Sequence, residues 1–303
     1  MVVLLKSRCQ RVSFLLMIQI LLCLAASPNP IDNFQLALAL KHGREYCKRL
    51  ERAALDFICI EVVSEQLDLS RDRSRNAVAQ VPTPRSVTGS GNPGRAELHF
   101  DHAPGSGIGA TLVFDYQFVR KDGKVTESRV LLEKNGKKAK PGEDLPRSSV
   151  LVFADILLAP VALLNERFAD FYDYRLLDEA SLDGGKAWIL QVSPRLSSAG
   201  RYLGGRIWLR QPDGCVLRID WDPATFGHYE NILANAEKYK SEPRVVSFTE
   251  FGFEKSGLRF PSVDLTEEAY VGRDGKTFVR SQTRVVFRDY KFFTVETETS
   301  IKK

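Results

Sequence analysis

The chain is poor in the residues that most often carry chemistry: among 303 residues there are 5 Cys, 4 His, 3 Trp and 2 Met. So little cysteine excludes a small fold built from disulfides. Long apolar runs are scarce as well. The one run worth weighing as a membrane span lies at the N-terminus, which excludes a helical protein with several spans. Disorder of the whole chain is excluded by a globular balance of 44% hydrophobic and 27% charged residues. The length allows one large domain or two modest ones.

Excess of one charge sign is also nearly absent. The formal net charge is +5, but Lys6, Arg8 and Arg11 supply three of those charges within the first eleven residues, where there is no acid. An apolar stretch over residues 12–26 follows and ends in small residues, Ala25-Ala26-Ser27. A basic start, a short apolar core and a small-residue exit describe a secretory signal peptide, cleaved after Ala25 or Ala26. The stretch is shorter than the roughly 18–20 residues that span a bilayer. Cys23 follows Leu21-Leu22 and lacks the small residue that lipidation requires. The expected mature chain, residues 27–303, carries a net charge of only +2 once those three cations are gone. Nothing electrostatic then points to nucleic acid. The expected location is periplasmic or secreted.

Three cysteines remain after cleavage, Cys47, Cys59 and Cys215, in no zinc-like spacing. Cys47 and Cys59 can pair in an oxidising compartment; alternatively both are small apolar fillers. Of the histidines, only His99 and His102, flanking Phe100-Asp101, resemble part of a metal site, and no third spaced ligand accompanies them. Ser90 and Ser106 sit in Gly-rich stretches without the G-x-S-x-G pattern of a nucleophile elbow. No cofactor fingerprint occurs, so the expectation is a protein that is not an enzyme and holds no cofactor or metal.

The pattern of the rest is informative. Residues 32–55 form an amphipathic helix, with Leu36, Leu40, Gly43, Cys47, Leu50 and Ala54 at alternating steps of four and three. Phe57 to Leu67 reads as a strand. Residues 69–109, rich in Ser, Arg, Gly and Pro, read as an insertion, either disordered or a mobile flap. From residue 110 onward strand-like runs recur between tight turns: Asp122-Gly123, Asn135-Gly136, Asp183-Gly184, Asp213-Gly214, Ser256-Gly257 and Asp274-Gly275. Such dipeptides supply the positive φ angles of hairpins, so they predict an antiparallel meander. Arg280, Arg284 and Arg288 fall on one face of their strand and read as a solvated row. Residues 149–168 are apolar and helical but broken at Pro160, and 225–239 carry a weaker helical signal. The expected fold class is α+β: one large curled antiparallel sheet with an N-terminal helix and short helices over its concave face.

Aromatic residues recur on these strands. Phe114, Phe118, Tyr174, Trp188, Trp208 and Trp221 are candidates for lining an apolar concavity, with simple core filling as the alternative for each.

Tyr174-Arg175-Leu176-Leu177, Gly185-Lys186-Ala187-Trp188-Ile189-Leu190, Gly205-Arg206-Ile207-Trp208-Leu209 and the Asp213-Gly214 turn leading into Cys215-Val216-Leu217-Arg218-Ile219 form successive hairpins behind a helix and a strand. This arrangement resembles the outer-membrane lipoprotein carrier superfamily, the LolA/LolB-like and RseB-like half-barrels. The resemblance covers residues 33–300 apart from the insertion. It implies an unclosed antiparallel barrel, helices plugging its concave side, and acyl chains or lipidated peptides bound there. No polar functional residue of the carriers maps onto a position of this chain. The leading expectation is a non-catalytic exported protein sheltering a lipid or acyl chain. The alternative is an envelope sensor or interaction module with a protein partner. A third reading, a secreted metal-dependent hydrolase, would use His99 or His102.

Overall fold

The computed structural model describes residues 30–53, 56–72, 96–97, 108–121, 124–140, 152–153, 156–182, 184–195 and 202–293. The N-terminal segment to residue 29, His99, His102, Ser90, Ser106 and most of the 69–109 stretch lie outside them.

Helix α1, Pro30–Arg52, starts two residues earlier than the periodicity predicts, with Pro30 in the first turn, where a missing N–H costs nothing. Its apolar stripe becomes the buried face, with Ala39, Gly43, Tyr46, Cys47 and Leu50 inside. Strand β1, Asp56–Leu67, alternates along its length: Phe57, Cys59, Glu61, Val63, Glu65 and Leu67 are all buried. Then follow β2 (Ala96–Glu97), β3 (Ile108–Lys121), β4 (Lys124–Lys134), β5 (Lys137–Lys138) and β6 (Val152–Phe153).

The apolar segment around Pro160 folds as a 3-10 turn, Ile156–Leu158, then helix α2, Ala159–Leu164, then a second 3-10 turn, Glu166–Phe171. Pro160 stands at the start of α2 rather than between two helices, because the first turn is where proline fits. After it come β7 (Tyr172–Leu182), β8 (Gly185–Pro194), β9 (Gly205–Arg210), β10 (Val216–Trp221), helix α3 (Tyr229–Tyr239), β11 (Ser241–Glu250), β12 (Phe253–Lys255), β13 (Leu258–Phe260), β14 (Val263–Gly272) and β15 (Thr277–Phe293).

Eleven strands form one sheet in the order β5-β4-β3-β1-β15-β14-β11-β10-β9-β8-β7. Its pairings are antiparallel, and its outer strands β5 and β7 do not pair with each other, so the sheet is unclosed. Five of the six expected turns join consecutive paired strands as their chemistry requires, with Gly136, Gly184, Gly214, Gly257 and Gly275 at positive φ, while Asp122, Gly123 and Asp183 lie outside the described residues.

The helices cover one face of this sheet. At Gly43 an added Cβ would lie 3.0 Å from Leu209 Cδ1 on β9 and 3.2 Å from Leu164 Cδ1 on α2, so α1 makes its close approach there. Gly214, in the β9–β10 turn, would place a Cβ 2.3 Å from the carbonyl of His42. At the other end α3 buries Ile232 and Ala236 against Tyr270 and Phe278.

Two sequence expectations need correction. The Arg280, Arg284 and Arg288 side chains do not form one row. A β-bulge falls where Glu268 pairs with Ser281 but Ala269 pairs with Val279, leaving Arg280 as the extra residue. Arg280 is therefore buried and paired with Glu268 (3.2 Å) and Asp72 (2.9 Å), whereas Arg284 and Arg288 are exposed. No bridge joins Cys47 to Cys59: both are buried free thiols, as is Cys215. Cys47 Sγ donates to the carbonyl of Pro160 on α2 at 3.5 Å, and Cys59 lies beside Tyr290 of β15. Burial pushes the Cys59 and Cys215 thiols up to about 12, which makes them inert fillers rather than nucleophiles.

Candidate functional site: the concave face of the sheet

Residues directly opposite one another on neighbouring strands share a face. The register therefore divides the concave side into rows. Phe57, Phe118 and Phe292 open the series: Phe57 pairs with both of the others, and its ring stacks on Phe118 at 5.1 Å. Phe260 from the β12–β13 hairpin and Tyr290 complete this block, 5.6 and 5.3 Å from Phe57. Phe114, Glu61 and Phe287 form a row four residues farther along β1 and β3.

Between the aromatic block and this row lies a cleft lined by Phe57, Tyr116, Glu127, Arg129, Leu157, Pro261, Phe287 and Tyr290. Its enclosed volume is about 10 Å³, room for one water. Glu61, only 2% exposed, is held there by Arg129 through two hydrogen bonds, Nε to Oε2 at 2.6 Å and Nη2 to Oε1 at 3.0 Å. The Arg129 guanidinium also lies over the Tyr116 ring at 4.7 Å. A fork-to-fork pair of this kind lets a carboxylate persist in a buried apolar setting. Burial, reinforced by Glu127, raises the Tyr116 hydroxyl well above its ordinary range, so it stays protonated.

The next rows are polar. Val63 and Val285 continue into Asp264, Thr249 and Ile219. Trp221 Nε1 donates to Thr249 Oγ1 at 3.0 Å, and Thr249 donates onward to Asp264 Oδ1 at 2.6 Å. Burial pushes the Asp264 carboxyl up to about 7; the Thr249 hydrogen bond works against the shift and nearby Glu61 adds to it. Beyond this row run Glu65, Thr283, Thr266 and Ser247, paired in that order across β1, β15, β14 and β11. All four are buried.

The structure brings five of the six candidate aromatics to the concave side. Phe114 and Phe118 stand on β3 facing the cleft region. Trp221 stands over the polar rows. Tyr174 and Trp188 sit at the α1–α2 end: Tyr174 donates to the Leu163 carbonyl at 2.9 Å, and the His42 ring meets Trp188 edge-on at 5.5 Å. Trp208 is the exception. Gly205, Ile207 and Leu209 take the buried phase of β9, so Trp208 lies on the convex face with the guanidiniums of Arg206 and Arg218 at 5.8 and 5.9 Å from its ring.

The sequence reading missed the pairing of buried Glu61 with half-buried Arg129, and the polar rows. The only signal for them was the placement of Glu61, Glu65, Asp264 and Thr266 in the apolar phase of their strands. Among the described residues no group of three or more His, Cys, Asp or Glu is disposed to hold a metal ion.

No family model and no curated protein matches the chain. Solved structures do. It is similar to a DUF1329 family protein from Desulfovibrio piger, with 15% identity, a TM-score of 0.38, and 87% of this chain and 95% of that one covered. A LolA superfamily protein from Nitrosomonas europaea gives 10% identity, a TM-score of 0.32, and 87% and 97% coverage. The Pseudomonas aeruginosa MucA/MucB complex gives 14% identity, a TM-score of 0.23, and 82% and 93% coverage.

Proposed function

We propose that this chain is an exported, non-catalytic binding protein whose half-barrel shelters an acyl chain or lipid on its concave face. The supporting observation is the cleft itself: an apolar, aromatic-walled depression on the covered face of an unclosed sheet, with buried Glu61 and its half-buried partner Arg129 at its edge. Apolar walls with a few fixed polar groups are the usual composition of a small-molecule site. At about 10 Å³ the cleft is far below the ~300–1,000 Å³ of an occupied ligand pocket. Loading therefore requires Leu157 and the turn that carries it to move off Phe57, Tyr116 and Phe287.

Native mass spectrometry of the protein, purified from an exported fraction without detergent, tests this reading. It expects a co-purifying, solvent-extractable mass of lipid size. A protein carrying no such mass, and refusing lipid added in vesicles, would overturn it.

A second reading, an envelope protein partner, is favoured by the convex face. There Trp208, flanked by Arg206 and Arg218, shares its surface with Phe248 and the exposed Val246. Such contacts weaken as salt rises, whereas apolar burial of an acyl chain does not.

A further inference from the structure

The row Glu65–Thr283–Thr266–Ser247 has more hydrogen-bonding capacity than its neighbours use. Ser247 Oγ and Thr266 Oγ1 lie 2.9 Å apart and share one hydrogen bond. Two hydroxyls carry two protons, so one O–H of the pair remains for another acceptor. Thr283 Oγ1, on a residue 1% exposed, has no hydrogen-bond partner among the described residues. Buried hydroxyls are normally satisfied, and an unsatisfied one calls for an explanation. Here the two adjoin: Thr283 pairs directly with Thr266 across β14–β15.

The position is equally specific. The row lies four residues along the strands from Phe114, Glu61 and Phe287, about 13 Å at the rise of a strand. Val63 and Val285 lie between the two.

We propose that this row is a head-group subsite: it takes the uncharged, hydroxyl-bearing head of an amphiphile, a sugar or glycerol unit, whose chain lies against Phe114, Tyr116 and Phe287. The proposal rests on the lipid-sheltering reading above and names the class of lipid. The spare groups are hydroxyls, each able to donate and to accept, and a ligand hydroxyl matches both roles. An anionic head would face the carboxyl group of Glu65 in the row. A quaternary ammonium head offers the spare O–H donors nothing to bond to.

The test compares three probes with one dodecyl chain, below their micelle concentrations: dodecyl maltoside, dodecyl sulfate and dodecyltrimethylammonium. Each displaces N-phenyl-1-naphthylamine fluorescence from the whole protein. Dodecyl maltoside is expected to bind tightest. Thr283→Val, nearly isosteric, is expected to weaken it about three- to tenfold, the worth of one hydrogen bond, with no change for dodecyl sulfate. Because it removes an unpaired buried hydroxyl, the same variant should melt no lower than wild type; Ser247→Ala serves as the second variant should Thr283→Val fail to fold. Equal affinity for the three heads, a preference for either charged head, or a Thr283→Val loss common to all three probes would overturn the head-group subsite and leave the lipid reading standing. Failure of all three to bind would overturn the lipid reading itself.

Discussion

Replacing Asp264 by Asn should stabilise the protein at neutral and alkaline pH and leave it nearly unchanged in acid. The carboxyl is 2% exposed and accepts a 2.6 Å hydrogen bond from Thr249. Burial raises its pKa from 3.8 to about 7. The sign follows directly. Between those two values the folded protein keeps a proton that the unfolded chain releases, so the stability contribution is complete below pH 3.8 and is lost as pH rises toward 7. At 1.36 kcal/mol per pH unit, the full shift corresponds to a ceiling of about 4 kcal/mol. Water penetration and relaxation around a charged Asp264 would lower the measured figure to about 1–3 kcal/mol. Asn keeps the acceptor for Thr249 and the volume of the side chain while removing the titration. Urea unfolding of both proteins at pH 4.5 and pH 8 gives the answer. The expected result is a small gain for Asp264→Asn at pH 4.5, where the unfolded chain has already begun to release the proton, and a clearly larger one at pH 8. Equal stabilities at pH 8, or a variant that keeps the wild-type slope between pH 4.5 and 8, would refute the claim that a desolvated carboxyl lies under this face.

The opposite pH dependence belongs to His228, whose pKa burial lowers from 6.5 to about 4. Its contribution is present above pH 6.5 and lost as pH falls toward 4, so His228→Gln should retain more stability than wild type at pH 5 in the same urea experiment. Arg129→Met strands Glu61 in the interior and should cost about 3–5 kcal/mol, while the double variant Arg129→Met/Glu61→Met regains much of that loss, as a double-mutant cycle by denaturation would show. Gly214→Ala combines φ +68 with a Cβ 2.3 Å from the His42 carbonyl, whereas Gly275→Ala has φ +76 and nothing within 4 Å. Calorimetry should find a loss of about 1 kcal/mol for Gly275→Ala and a several-fold larger one for Gly214→Ala, because only there must α1 give way.

The strands were legible because their signals are local. Asn135-Gly136 or Asp274-Gly275 fixes a hairpin by its own φ angles, whatever lies around it. The face of each aromatic was legible wherever its strand keeps strict period 2 with one clear apolar phase, as at Phe114 and Phe118. Trp208 misled because its size suggests burial, yet Ile207 and Leu209 beside it outvote it on β9. The buried acids were illegible for a related reason. Glu61 and Asp264 occupy apolar phases, and only pairing across strands shows that Arg129 and Thr249 make those positions tolerable. Arg129 is 68 residues from Glu61 in sequence, a separation no local pattern reports.

β15 shows how much one residue can decide. Before its bulge the even-numbered side chains Phe278 and Arg280 face inward; after it the odd-numbered Ser281, Thr283, Val285 and Phe287 do. Were the same residues to run through Arg280 in regular alternation, the phase would not change, and Arg284 and Arg288 would enter the interior while Thr283 and Phe287 faced solvent. The irregularity therefore removes two cations from the concave face, fixes the third against Glu268 and Asp72, and places a hydroxyl and an aromatic ring on the floor. A second irregularity, where Ile58 pairs with Lys291 but Ile60 with Arg288, has Asp289 at φ +60 and turns Tyr290 and Phe292 back toward Phe57. Between the two bulges lies the stretch of β15 that contributes Thr283, Val285 and Phe287. The polar row, the apolar spacer and the aromatic wall of the proposed site thus depend on the same pair of one-residue insertions.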